Sequence, residues 1–159
     1  MCFDRDSLPP IPAISGTAVS HDDLILEAPD GNRLAAFSAT PDEPSGAGIV
    51  ILPDVRGLYH FYEELALRFA ERGHAAVAID YFGRTAGVSK RDDEFEYMPH
   101  VQQTTAVGVQ ADTAAGVAWL REAGREFDCF SILRPTSPFR LPGTIRRAWG
   151  EFLAEEGVD

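Results

Sequence analysis

The feature that most constrains this chain is the alternation of apolar runs with helical stretches between Ile49 and Ala123. Ile49-Val50-Ile51-Leu52 is short, continuous and rich in β-branched residues, which suits a strand buried on both faces. After the loop Pro53-Asp54-Val55-Arg56-Gly57, the residues Tyr62, Leu65, Ala66 and Phe69 recur at helical spacing, and Gly73 supplies a stop. His74 to Asp80 reads as a second apolar strand. Val107 to Ala123 reads as a second helix, with Ala111, Ala114, Ala115 and Ala118 on its stripe and Gly124 at its end. Strand, helix, strand, helix calls for a right-handed parallel crossover.

The flanks complete an α/β pattern. Asp23 to Ala28 and Arg33 to Ala39 are short apolar segments joined by Pro29-Asp30-Gly31-Asn32, a link that supplies the positive φ values a hairpin needs. Phe127 to Leu133 suits a third buried strand. Thr144 to Glu155 suits a third helix, with Ile145, Ala148, Trp149, Phe152 and Leu153 on one face and Pro142 ahead of it. The expected fold is a three-layer α/β domain whose mostly parallel sheet begins with an N-terminal β-hairpin. Residues 1–20, with Pro9, Pro10 and Pro12, read as a flexible arm.

Composition narrows the function classes. A chain of 159 residues that is 45% hydrophobic can build one core, and its formal net charge of -11 repels nucleic acids and anionic membrane surfaces. No run approaches the ~20 apolar residues of a spanning helix and no signal-like start is visible, so the expected location is cytoplasmic. Cys2 and Cys129 are an unpromising disulfide pair, one near a terminus and one inside an apolar run. His21, His60, His74 and His100 are scattered without the spacing of metal ligands, so neither metal nor cofactor is expected.

In an open parallel sheet, chemistry gathers in the loops at the carboxyl ends of the strands. Asp54-Val55-Arg56-Gly57 is one such loop, able to offer a backbone N–H to a developing oxyanion beside a carboxylate and a guanidinium. Equally it reads as a polar strand end with a glycine turn. Asp80-Tyr81-Phe82-Gly83-Arg84 is the other, where Arg84 could grip a substrate carboxylate bidentately or simply pair with a nearby acid.

Taken together, ILPDVRGLYHFYEELALRFAERGHAAVAIDYFGRTAG resembles the first two strand–helix units of the dienelactone hydrolase family, a group of α/β-hydrolases. The resemblance spans roughly 23–124, within a hydrolase-like unit at 21–124. It implies hydrolysis of a small ester or lactone carrying a carboxylate. By the same resemblance, Asp54 stands where an acidic residue, glutamate in the best-known members, orients the nucleophile. Val55 would give an oxyanion N–H, Arg84 would bind the carboxylate, and Tyr81 or Phe82 would line the pocket. Asp92, Asp93, Glu94, Glu96 and His100 match a variable cap-side segment and read as a solvated loop.

That family's reaction needs a nucleophile on a G-x-C-x-G or G-x-S-x-G elbow, followed by an aspartate and a histidine. Here the corresponding stretch reads FDCFSILRPTSPFR, without flanking glycines, and no histidine follows His100. Cys129 is the one weak nucleophile candidate, and a small buried core thiol is the bland alternative. Residues 125–159 form a separate tail. REFDCFSILRPTSPFRLPGTIRRAWGEFL resembles an internal segment of acylneuraminate cytidylyltransferases, which would place Arg134, Thr136, Ser137 and Arg140 near a nucleotide or sugar. Arg134 replaces that family's frequent glutamine, and its glycine-rich nucleotide loop and Mg²⁺-binding acids have no counterpart here. A proline-bounded turn leading into an amphipathic helix explains the same residues. Three readings stay open: a catalytically incomplete ester or lactone hydrolase, a fusion whose tail binds a nucleotide or sugar, and a chimeric reading frame whose exposed sheet edge invites self-association.

Overall fold

The computed structural model describes residues 6–122, the strand backbone over 129–133, and Arg147. In chain order the elements are β1 (Val19–Glu27), β2 (Arg33–Pro41), β3 (Ala47–Ile51), α1 (His60–Ala70), β4 (Ala75–Ile79), α2 (Gly83–Ala86), α3 (Met98–Gln103), α4 (Ala106–Glu122) and β5 (Cys129–Leu133). The strands form one mixed sheet in the order β1-β2-β4-β3-β5. β1 and β2 are the expected hairpin, with Val19 opposite Pro41 and Glu27 opposite Arg33. β2 joins β4 antiparallel, while β4, β3 and β5 run parallel to one another.

Side-chain alternation sorts the strands onto two faces. Ile49, Ile51, Ala76 and Ala78 point to the side where Tyr62, Ala66 and Ala70 of α1 pack. Val50, Leu52, Val77 and Ile79 point to the other side, against Ala115 and Leu120 of α4. Both faces are therefore covered, as unbroken apolar strands require. From β3 the chain crosses over α1 to β4 on one side, then returns by α4 past β3 to β5 on the other. The reversal makes a topological switch at the carboxyl ends of β3 and β5, where open α/β sheets bind their ligands.

Several details differ from the sequence pattern: β1 begins at Val19, inside the expected arm, and the short helices α2 and α3 stand in segments that read as loops, taking in Arg84 and His100. On α4, Gly108, Asp112, Ala115, Gly116 and Leu120 are buried, whereas Ala114 and Ala118 face outward. Alanine has too little apolar contrast to orient a helix, and the small Gly116 lets α4 settle close on the sheet. The expected flexible arm is tied down in part: Pro9 is buried, Arg72 donates to the Pro12 carbonyl at 2.8 Å, and the Ile14 N–H donates to Glu71 at 2.9 Å. The helix expected over Thr144–Glu155 lies outside the described residues apart from Arg147. No helix among the described residues is long and apolar enough to cross a membrane.

Candidate functional site

The loop after β3 closes into a turn in which the Gly57 N–H donates to the Asp54 carbonyl at 3.0 Å. Gly57 has φ +79°, and a Cβ there would stand 3.0 Å from Arg91 Cγ and 3.3 Å from Asp80 Oδ1, so only glycine fits. Asp54 is buried and every polar group on it is engaged. Its N–H donates to Tyr62 Oη at 2.9 Å, and its carbonyl also accepts from the Tyr81 hydroxyl at 3.0 Å. Its carboxylate accepts the Arg56 N–H at 2.9 Å and the Arg56 guanidinium at 2.7 Å. Val55 is the exception: among the described residues no acceptor meets its N–H. A fixed, undonated N–H at the carboxyl end of a buried strand is what an oxyanion requires.

The aromatic wall behind this turn comes from α1. Arg56 Nη2 donates to Tyr59 Oη, and its guanidinium carbon lies 4.6 Å from the Tyr59 ring centre. Burial, reinforced by the charge of Asp54, pushes the Tyr59 hydroxyl up to about 12. The same two causes raise Tyr62 further, so both phenols stay protonated donors in the physiological range.

The loop after β4 braces the first loop. Asp80, 1% exposed, accepts the Phe82 N–H at 3.0 Å and Arg91 Nε at 2.7 Å. Burial raises the Asp80 carboxyl above its ordinary range despite the opposing charge of Arg91. Arg91 continues to the carbonyls of Ala86 and Gly87, and its guanidinium carbon lies 4.8 Å from the Phe95 ring centre.

Arg84 is held in ion pairs. Its guanidinium meets Asp30 at 2.6 Å and Asp112 at 2.8 Å, with the Gly108 carbonyl at 3.3 Å. Asp112 is fully buried and also accepts from Asn32 at 2.9 Å. A guanidinium already forked onto two carboxylates has no bidentate face left for a third, so the structure favours the ion-pair reading of Arg84 over the carboxylate clamp. Phe82 is fully buried against Phe95 and His100. Tyr81 is half-buried and steadies Asp54 through its hydroxyl.

The register of β5 locates the nucleophile candidate along the sheet. Cys129 stands opposite Ala47 at the amino end of β3, and Leu133 stands opposite Ile51 at the carboxyl end. That separates Cys129 from the Val55 turn by the length of the strand, about 13 Å at ~3.3 Å per residue. Arg134, Thr136, Ser137 and Arg140 follow β5 and lie outside the described residues. The cap-side acids Asp92, Asp93, Glu94 and Glu96 are exposed as expected, but Arg91 is buried and Phe95 stacks on His100 at 5.1 Å. Among the described residues no group of three or more His, Cys, Asp or Glu is placed to hold a metal ion. A groove of about 720 Å³ runs along Val109, Thr113, Val117 and Arg121 of α4 and Leu52, but no residue of the Val55 turn lines it.

The sequence profile of the dienelactone hydrolase family matches residues 34–129, from the start of β2 to the first residue of β5. The chain belongs to the dienelactone hydrolase family. It is 30% identical over 129 residues to a carboxymethylenebutenolidase of Rhodococcus opacus, covering 74% of this chain and 48% of the relative. A candidate dienelactone hydrolase from Klebsiella pneumoniae superposes with a TM-score of 0.60 at 21% identity, over 72% of this chain and 49% of that one. A dienelactone hydrolase-like promiscuous phosphotriesterase from metagenomic libraries gives 0.58 at 20% identity, over 72% and 48%. These structures share the fold, and the chain spans about half the length of the relatives it matches.

Proposed function

We propose that residues 21–124 supply the oxyanion side of an ester or lactone hydrolase site, and that this polypeptide by itself has no family-type turnover. One observation carries the reading: the undonated Val55 N–H in a turn whose other N–H groups are bonded, at the topological switch of a dienelactone hydrolase-family sheet. The carbonyl oxygen of a small ester or lactone would take that N–H as negative charge develops on it. One such donor is worth about 3–4 kcal/mol of transition-state stabilisation. Asp54 holds the turn through Arg56 and is thereby occupied, so orienting a nucleophile would require it to release that arginine. A substrate carboxylate is not part of the proposal, because the arginines around the turn are matched: Arg56 to Asp54, Arg91 to Asp80, Arg84 to Asp30 and Asp112.

Val55→Pro tests the reading, since proline removes the N–H while suiting the second position of a β-turn. In a chimera that continues after β4–α4 with the corresponding half of the Rhodococcus relative, lactone hydrolysis should appear, and Val55→Pro should lower kcat by about 10²–10³-fold. A Val55→Pro chimera as fast as its parent would refute the assignment. The tail at 125–159 is a separate proposal resting on sequence resemblance alone; micromolar binding of CTP, lost on Arg134→Ala, would give it a ligand.

A further inference from the structure

Arg91 is an arginine in a stretch that composition marks as solvent-facing, yet it is 8% exposed and threaded under the Val55 turn. Two contacts join it to that turn. Its Cγ lies 3.0 Å from where a Cβ on Gly57 would stand, so the left-handed corner of the turn packs closely on the arginine stem. Its Nε fixes the Asp80 carboxylate at 2.7 Å, and Asp80 Oδ1 lies 3.3 Å from that same Cβ position, so the acid it holds abuts the same corner. The arginine is itself immobilised: Nη1 on the Ala86 carbonyl at 3.1 Å, Nη2 on the Gly87 carbonyl at 2.6 Å, and the Phe95 ring beneath it. The preceding residue fastens the same segment from the outside, Lys90 bridging Asp23 of β1 at 2.9 Å and Glu63 of α1 at 3.1 Å.

We propose that Arg91 is a positioning residue: through its own stem and the Asp80 carboxylate packed at Gly57 it sets the direction of the Val55 N–H, and it ties that direction to the placement of the 88–95 segment. The inference rests on the oxyanion reading of Val55. A segment that moved to admit a substrate would carry the Arg91 stem with it and turn the donor.

The test uses the full chain labelled with ¹⁵N, comparing amide resonances of wild type, Arg91→Lys and Asp80→Asn. Arg91→Lys keeps the charge but removes the fork; Asp80→Asn keeps the shape but removes the charge. Both should shift the Val55, Gly57 and Leu58 amides together, while the amides of α1 stay in place and unfolding remains cooperative. Shifts confined to residues 80–95, with Val55 and Gly57 unmoved in both variants, would overturn the proposal. So would shifts spread evenly over the chain, which mark a merely structural role. Failure of the oxyanion reading would show elsewhere, as Val55→Pro without kinetic effect while these amides still respond to Arg91.

Discussion

Replacing Arg84 by alanine separates the ion-pair reading of this residue from the substrate-clamp reading. Asp112 is fully buried, and the substitution removes its 2.8 Å and 3.2 Å bonds to Arg84, leaving the amide of Asn32 as its remaining described donor. Stripping the partner from a buried charge costs about 3–5 kcal/mol when no water enters. The Arg84 side chain is 28% exposed, so water reaches the vacated space and about 2–3 kcal/mol is the expected loss. For a domain of this size that corresponds to a melting temperature lower by roughly 4–12 °C. Thermal unfolding followed by circular dichroism reads it directly. The loss should persist in 1 M NaCl, because a buried pair is poorly screened, and Asp112→Asn in the same background should restore much of it. Asp30→Ala should change little, since Asp30 is open to solvent. If Arg84→Ala melts within about 1 °C of wild type, the clamp on Asp112 is not structural and the arginine is free for a ligand.

Four further outcomes are expected. Tyr62→Phe leaves the buried Asp54 N–H without its acceptor, costing about 1–3 kcal/mol in urea unfolding and accelerating exchange at that amide. Gly83→Ala drives a Cβ to 2.4 Å from the Arg33 carbonyl oxygen and 2.9 Å from Leu34 Cα, a backbone clash no rotamer relieves; it should lose about 2–3 kcal/mol, and an unchanged melt would mean that α2 does not press on β2. Asp80 has a raised carboxyl pKa, so its contribution to stability is full below the ordinary carboxylate range and is lost as pH rises through the raised value; stability relative to Asp80→Asn should fall across that window, and a rise would reverse the assignment. The outer edge of β1 pairs with no strand among the described residues, which predicts partial self-association of the isolated chain by light scattering, and a monodisperse monomer with a sharp melt counts against it.

The strands and the two long helices were legible because each carries one unambiguous period. Ile49–Leu52 and Ala75–Ile79 are unbroken apolar runs, and the hairpin is announced by Pro29-Asp30-Gly31-Asn32. The Val55 turn was legible as a loop at a strand's carboxyl end, and Gly57 marked its corner. What stayed hidden are the pairings. Arg84 reads as gripping a substrate carboxylate or as paired with a nearby acid, and nothing local names Asp112, 28 residues later and buried, as that acid. One signal existed, a single acid on the small-residue face of α4, but alanine-rich helices do not declare which face is inward. Arg91 stands next to four exposed acids in sequence, so local composition says solvent where the fold says core. Cys129 shows the converse limit: its residue type offers a weak nucleophile candidate, and only strand register places it opposite Ala47, at the end of β3 away from the Val55 turn.

The measurement that bears most directly on the account is steady-state hydrolysis of a small lactone by this polypeptide, alongside Val55→Pro and Cys129→Ala. The account predicts no saturable turnover above buffer for any of the three, because the Val55 donor has no nucleophile facing it among the described residues. Saturable hydrolysis abolished by Cys129→Ala would contradict it, and would require β5 to present its first residue, rather than its last, to the Val55 turn.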